Sequence, residues 1–261
     1  MSVEEVASRL RAAGCVFAED EAALILAEAH DGAEAEEMVG RRVDGTPLEH
    51  ILGWAEFCGL RVRVAPGVFV PRRRTQLLAR RAVELLRPSG IVVELCSGAA
   101  AVSVAIATAR PGSEVFAADL DPVAVRCARD NLVDLGGHVF EGDLYDALPG
   151  RLRGHVDMLV ANAPYVPTDA VALMPPEARD HEPRLALDGG PDGLDVAGRI
   201  VADAADWLAP TGTLLVETGT RQVAELVRRT TYSGLIARAL TDDELDATAL
   251  EASPTGRTGG A

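Results

Sequence analysis

Excess positive charge, paired cysteines, a metal-binding cluster and a long apolar run are all missing from this chain, and each absence removes a class of function. Of its 261 residues 40 are acidic and 25 basic, a formal charge of −15. Such a surface field repels phosphate backbones, which argues against bulk nucleic-acid binding and leaves only a local basic patch able to oppose it. The four cysteines, Cys15, Cys58, Cys96 and Cys127, form no C-x-x-C pair and join no histidine cluster at metal-ligand spacing. They read as reduced thiols, and no metal site is expected. The opening residues MSVEEVASRLRAAG are acidic and amphipathic, without the basic flank and apolar run of a signal peptide, and no later stretch could span a bilayer. A cytoplasmic protein is the expectation. No internal repeat is present.

What is present suffices for one α/β domain with a small appendage, because 48% of the residues are hydrophobic and can fill a sizeable core. Apolar residues at helical spacing over residues 1–55 (Val6, Leu10, Leu24, Ala27), broken at Gly14 and Gly32, predict a small helical cap. Residues 56–75 form a linker in which the alternation Leu60, Val62, Val64, Val68, Val70 predicts a β-hairpin bent at Pro66-Gly67. Over residues 76–252 helix and strand alternate: a helix from Leu77, a strand Ile91 to Leu95, an Ala/Val helix Ala99 to Ala109, and a strand Glu114 to Ala118. Asp121-Pro122 then opens a helix as N-cap and first-turn proline. Val139-Phe140, Val156 to Ala161 and Thr213 to Val216 supply further strands. Continuous apolar strands between helices indicate a parallel sheet covered on both faces, with its ligand at the carboxyl ends of the strands. Residues 253–261, rich in glycine and threonine, are expected to be a mobile tail.

The candidate site residues fall at those strand ends. Glu94-Leu95-Cys96-Ser97-Gly98-Ala99-Ala100 is a tight strand-to-helix turn whose backbone N–H groups would face a ligand. Asp119 closes the next strand and can grip both hydroxyls of a ribose. Asp143, after the third strand, can accept from an adenine amino group. Leu120 and Leu144 follow the two carboxylates, and together with Asn162 they complete the expected cofactor-binding set. Asn162-Ala163-Pro164-Tyr165 ends the strand from Val156 and suits a planar –NH₂ group. The Asn162 oxygen and the carbonyl of Ala163 can each accept one N–H, Pro164 holds residue 163 out of the helical region, and Tyr165 can stack on a π-system. His181-Glu182-Pro183 reads as a structural turn rather than an acid/base pair, and Trp54 and Trp207 as packing residues.

In these motifs the sequence resembles the protein-(glutamine-N5) methyltransferases of the HemK/PrmC type. The resemblance runs from about Val43 to Gln222 and includes Asp44 to Gly53, Glu56-Phe57, Val70-Pro71-Arg72, the cofactor turn, Asn162 to Tyr165, Pro175-Pro176-Glu177, His181 to Gly190 and Glu217-Thr218-Gly219. It implies a class I, Rossmann-like methyltransferase fold with a mostly parallel seven-stranded sheet and a small N-terminal helical domain. It also implies S-adenosylmethionine as cofactor and methyl transfer to the side-chain amide nitrogen of a glutamine in a protein, in relatives a peptide-chain release factor. This chain departs from the family pattern at Cys96 and Ala100, where glycine is usual, at Ala163 in place of a proline, and at Arg73, Arg74 and Gln76, where a proline and two carboxylates are usual. Two alternatives follow from the residues: a binding protein that keeps the fold but no longer methylates, and a nucleic-acid methyltransferase acting on the adenine amine.

Overall fold

The computed structural model describes residues 1–254. Four helices come first: α1 (Val3–Ala12), α2 (Ala18–Glu28), α3 (Gly32–Val43) and α4 (Leu48–Leu52). Ser2 and Glu5 form a capping box at the start of α1, and Asp31 caps α3 through the N–H groups of Ala33 and Glu34, so orphan helix donors are satisfied locally. Val6, Leu10, Ala22, Ile25, Met38, Val39 and Ile51 pack into a core of their own. Arg42, almost wholly buried, ties this bundle together by reaching Glu21 on α2.

A short antiparallel hairpin follows, β1 (Trp54–Phe57) and β2 (Leu60–Arg63). Its bend lies at Cys58-Gly59, not at the expected Pro66-Gly67. Both bend residues are left-handed, at φ 53° and 76°, the two-residue geometry whose twist matches paired strands. Val62, Val64, Val68 and Val70 are all buried, but beyond Arg63 the alternation reflects a chain laid across the core rather than a paired strand. His50 secures that segment with a ring nitrogen 2.8 Å from the carbonyl of Val68.

The remaining elements are α5 (Gln76–Leu85), β3 (Ile91–Leu95), α6 (Ala101–Ala109), β4 (Glu114–Asp119), α7 (Pro122–Leu132), β5 (His138–Glu141), β6 (Val156–Ala161), α8 (Pro176–His181), α9 (Asp195–Trp207), β7 (Leu208–Glu217), α10 (Val223–Tyr232), β8 (Leu235–Asp242) and β9 (Ala247–Pro254). One seven-stranded sheet has the order β5-β4-β3-β6-β7-β9-β8, with β9 antiparallel to both neighbours and the other pairings parallel. Side-chain alternation divides its core in two. Val92, Val115, Met158 and Leu215 face α5, α6 and α7, while Val93, Phe116, Leu159 and Leu214 face α9 and α10. Burial on both faces explains why these strands are continuous apolar runs. Ser253 and Pro254, assigned in sequence to the tail, pair with β8 as part of β9; residues 255–261 of that expected tail lie outside the described residues. No helix among the described residues is long and apolar enough to cross a membrane, and they contain no cluster of metal-ligating groups.

Chain order reverses at β3: the crossover through α6 leads to β4 on one side, and the later strand β6 adds on the other. Such a switch point opens a crevice beyond the carboxyl ends of β3 and β6, which is where the candidate residues lie.

Candidate active site

A cleft of about 270 Å³ opens at this switch point. At one end it is lined by Glu94, Cys96, Ser97, Gly98, Ala99, Asp119, Leu120, Asp143 and Leu144, and at the other by Asn162, Ala163, Pro164 and Tyr165. The fold thus brings together every expected site residue but one. Ala100 does not line the cleft; it is fully buried in the sheet-to-helix core, and its contribution is the backbone turn it makes.

That turn is locally costly. Cys96, Gly98 and Ala100 take φ values of 53°, 54° and 58°, and for a residue with a Cβ the left-handed region costs roughly 1–2 kcal/mol. Cys96 and Ala100 therefore keep a conformation that glycine adopts freely. Asp119 helps hold the turn in place: Oδ2 accepts from the N–H of Gly98 at 2.8 Å and Oδ1 from that of Asp121 at 2.9 Å. A carboxylate oxygen accepts more than one hydrogen bond, so capacity for hydroxyl donors remains. Burial pushes Asp119 above the usual carboxylate range, opposed by those backbone donors.

Deeper in the cleft, Glu94 accepts from the N–H of Ser103 at 2.8 Å and is 3% exposed. Burial pushes its carboxyl up to about 7. Burial likewise raises the Cys96 thiol far above its ordinary range, which keeps it protonated and removes it as a nucleophile. Asp143 pairs with Arg199 at 2.8 Å. The hydroxyl of Ser97 is buried without a hydrogen-bond partner. An unpartnered hydroxyl among Glu94, Asp119, Asp121 and Asp143 suits a nucleoside that carries positive charge. The residues present therefore fit S-adenosylmethionine.

At the other end, the side-chain amide of Asn162 donates to the hydroxyl of Thr75 at 3.2 Å. Its oxygen is thereby turned away from Thr75, and neither that oxygen nor the Ala163 carbonyl has a partner among the described residues. The Tyr165 hydroxyl donates to Glu217 at 3.2 Å, at the tip of β7. Burial pushes Glu217 up, and the hydroxyls of Thr75 and Tyr165 beside it oppose that shift. Glu217 thus joins the residue that steers Asn162 to the ring of Tyr165. Sequence reasoning assigned no role to Thr75 or Glu217; the available signal was a carboxylate ending an apolar strand, where burial demands partners.

Glu182 makes structural contacts through Oε1, which accepts from Arg72 at 2.6 Å and from the N–H of Val70 at 3.1 Å, while its Oε2 is buried without a hydrogen-bond partner. Arg42 reaches Glu177 on α8 at 2.6 Å, joining the helical bundle to the segment that walls the cleft through Met174 and Pro183. Of the three consecutive arginines, Arg72 and Arg74 line the cleft and Arg73 does not.

Residues 59–174 match the family described as Methyltransferase small domain. The chain is 40% identical over 205 residues to a release factor glutamine methyltransferase of Mycolicibacterium smegmatis, covering 77% of this chain and 72% of that protein. It is 38% identical over 195 residues to the 4-amino-L-phenylalanine/4-methylamino-L-phenylalanine methyltransferase of Streptomyces pristinaespiralis, across 72% of this chain and 66% of that one. The matches span about two thirds of the length of the relatives, from 65% to 72% in three release factor glutamine methyltransferases. A 16S rRNA methyltransferase of T. thermophilus, solved with AdoMet and guanosine, shares the fold at a TM-score of 0.57 and 21% identity, over 77% of this chain and 49% of that one. The methyl donor for this fold is S-adenosylmethionine, and on identity and coverage together the chain belongs to the release factor glutamine methyltransferase family.

Proposed function

We propose that this chain methylates the side-chain amide nitrogen of a glutamine in a protein, and that the protein is a peptide-chain release factor. The observation that carries the reading is the pairing of the Asn162 amide nitrogen with Thr75, which commits the nitrogen and leaves the oxygen of this cleft-lining residue free to accept, next to the unpartnered Ala163 carbonyl. Two acceptors placed in this way hold both hydrogens of a flat –NH₂ group and fix its plane.

S-adenosylmethionine, when bound, supplies a methyl carbon activated by its sulfonium. An amide nitrogen is a weak nucleophile because its lone pair is delocalised, so the contribution of the protein is alignment. Asn162 and Ala163 hold the two N–H bonds and stabilise the charge that grows on nitrogen. Pro164 keeps residue 163 extended, and the Tyr165 ring, tethered to Glu217, flanks the acceptor. Once nitrogen bears an extra bond it is strongly acidic, and its proton leaves without a dedicated base. A release-factor substrate places the enzyme with translation, in the cytoplasm.

The test is transfer of label from S-adenosylmethionine to a purified release factor. Label on the glutamine, lost when that glutamine is replaced by alanine, supports the reading; label that persists on the alanine variant defeats it. A second reading is favoured by the Streptomyces pristinaespiralis relative: an aryl amine of a small amino acid has the same flat –NH₂ geometry. Methylation of 4-amino-L-phenylalanine in the same assay, with none of the release factor, would establish it instead. The relatives do not favour a silent binding protein or an adenine-amine methyltransferase.

A further inference from the structure

The charges that line the cleft are sorted by position. Glu94, Asp119, Asp121 and Asp143 lie at the cofactor end, where the cation Arg199 is engaged by Asp143. Arg72 and Arg74 lie at the acceptor end. There Asp188 is already satisfied by Thr168, Arg184 and the N–H of Gly190. In a chain of net charge −15, a basic lining is a local exception rather than the general surface.

The two acceptor-end arginines differ. Arg72 is committed, held by Glu182 and lying 5.0 Å over the Phe69 ring. Arg74 is exposed and makes no hydrogen bond or ion pair among the described residues. It belongs to the short 3₁₀ turn Arg73–Thr75, and its neighbour Thr75 is the group that orients Asn162. Its charge is felt at Tyr165 and Glu217. An uncommitted guanidinium lining the same cleft as Asn162 and Ala163 offers a planar fork of donors that matches a carboxylate.

We propose that Arg74 is a specificity-determining residue that binds a carboxylate of the acceptor, so that the favoured acceptor carries a carboxylate close to the nitrogen that is methylated. The proposal rests on the reading of this cleft as a methyltransferase site and names the chemistry of its acceptor end. The carboxylate has two possible sources: an acidic side chain beside the glutamine of a protein, or the α-carboxylate of a free amino acid.

The test is calorimetric binding to the protein loaded with S-adenosylhomocysteine, using ligand pairs that differ by one carboxylate. One pair is Gly-Gly-Gln-Asp-Gly and Gly-Gly-Gln-Asn-Gly, both amidated; the other is 4-aminophenylalanine and its carboxamide. The carboxylate member of at least one pair should bind about tenfold tighter at low salt, the advantage shrinking as salt screens an exposed partner. Arg74→Glu should erase or invert that preference and Arg74→Lys retain part of it. A preference in the peptide pair assigns the carboxylate to a protein acceptor, and one confined to the amino-acid pair assigns it to a small molecule. Equal binding within both pairs, or a preference that survives Arg74→Glu, overturns the proposal. So does an Arg74→Glu protein whose only defect is weaker S-adenosylmethionine binding, since the guanidinium would then serve the cofactor. Turnover on the same ligands is read separately: peptides that bind with the carboxylate preference yet gain no methyl group sink the glutamine reading and leave the role of Arg74 standing.

Discussion

The two ends of the cleft are built on different principles. At the cofactor end the critical groups are held by nearby backbone: Asp119 is fixed by the N–H groups of Gly98 and Asp121, and Glu94 by that of Ser103. At the acceptor end they are held by side chains far away in sequence, Thr75 for Asn162 and Glu217 for Tyr165. A locally braced site can hold its turn even where Cys96 and Ala100 take left-handed φ values. A site braced at long range is sensitive to residues that never touch substrate. Binding of cofactor and alignment of acceptor should therefore respond to different mutations.

Asn162→Ala gives the sharpest separation. Turnover should fall by about a thousandfold, the scale of losing one preorganised polar group at a reacting centre, while the cofactor dissociation constant moves by less than about threefold. Calorimetry and single-turnover rates together check this, and a comparable loss in both would break the distinction. Asp119→Ala should do the converse. Loss of charge-assisted hydrogen bonds of about 1.5–3 kcal/mol weakens cofactor binding by about ten- to a hundredfold, with turnover at saturating cofactor nearly preserved. Thr75→Val keeps the shape but frees the Asn162 amide to rotate. It should cost about tenfold in turnover with cofactor affinity unchanged, and Thr75→Ser should restore most of it.

A pH measurement sharpens the cofactor end. Glu94 ionises near 7 instead of the ordinary 4.5, so near neutrality it is partly protonated, and a cationic ligand beside it favours ionisation. S-adenosylmethionine binding at pH 7 should thus release a fraction of a proton, seen as a dependence of binding enthalpy on buffer, and Glu94→Gln should abolish it. The same shift has a sign for stability. Ionising Glu94 costs the folded state, so its contribution declines as pH rises from about 4.5 to about 7 and is level above. The smallest effect is expected of Ala100→Gly. Relief of about 1–2 kcal/mol of left-handed strain is offset by a lost buried methyl group and a freer unfolded chain, leaving stability within about 1 kcal/mol by denaturant titration.

Much of this architecture was legible because its signals are local. Asp121-Pro122 announces the start of α7, and Asp121 does accept from the N–H of Val123. The apolar runs that became β3, β4 and β6 could hardly be anything but strands buried on both faces. The hairpin bend was misplaced because Pro66-Gly67 is the stronger turn signal by composition, whereas Cys58 adopts a positive φ that its residue type does not advertise. At the site, Asn162 to Tyr165 could be read from strand position and amide chemistry. Thr75, Glu217 and the bond from Arg42 to Glu177 could not, since each joins segments that only the folded chain brings together. The seating of Ala100 in the core rather than the cleft likewise depends on the direction in which the turn leaves β3.

The position of β9 bears on how the molecule is made. The strand latest in sequence among the described residues does not lie at the rim of the sheet but between β7 and β8. Until residues near 250 have been made, the edge of β7 that β9 covers has no partner strand in this sheet. The tip of β7 carries Glu217, so the acceptor end is expected to mature last, after the cofactor crevice at β3 and β4 has already closed around its own backbone.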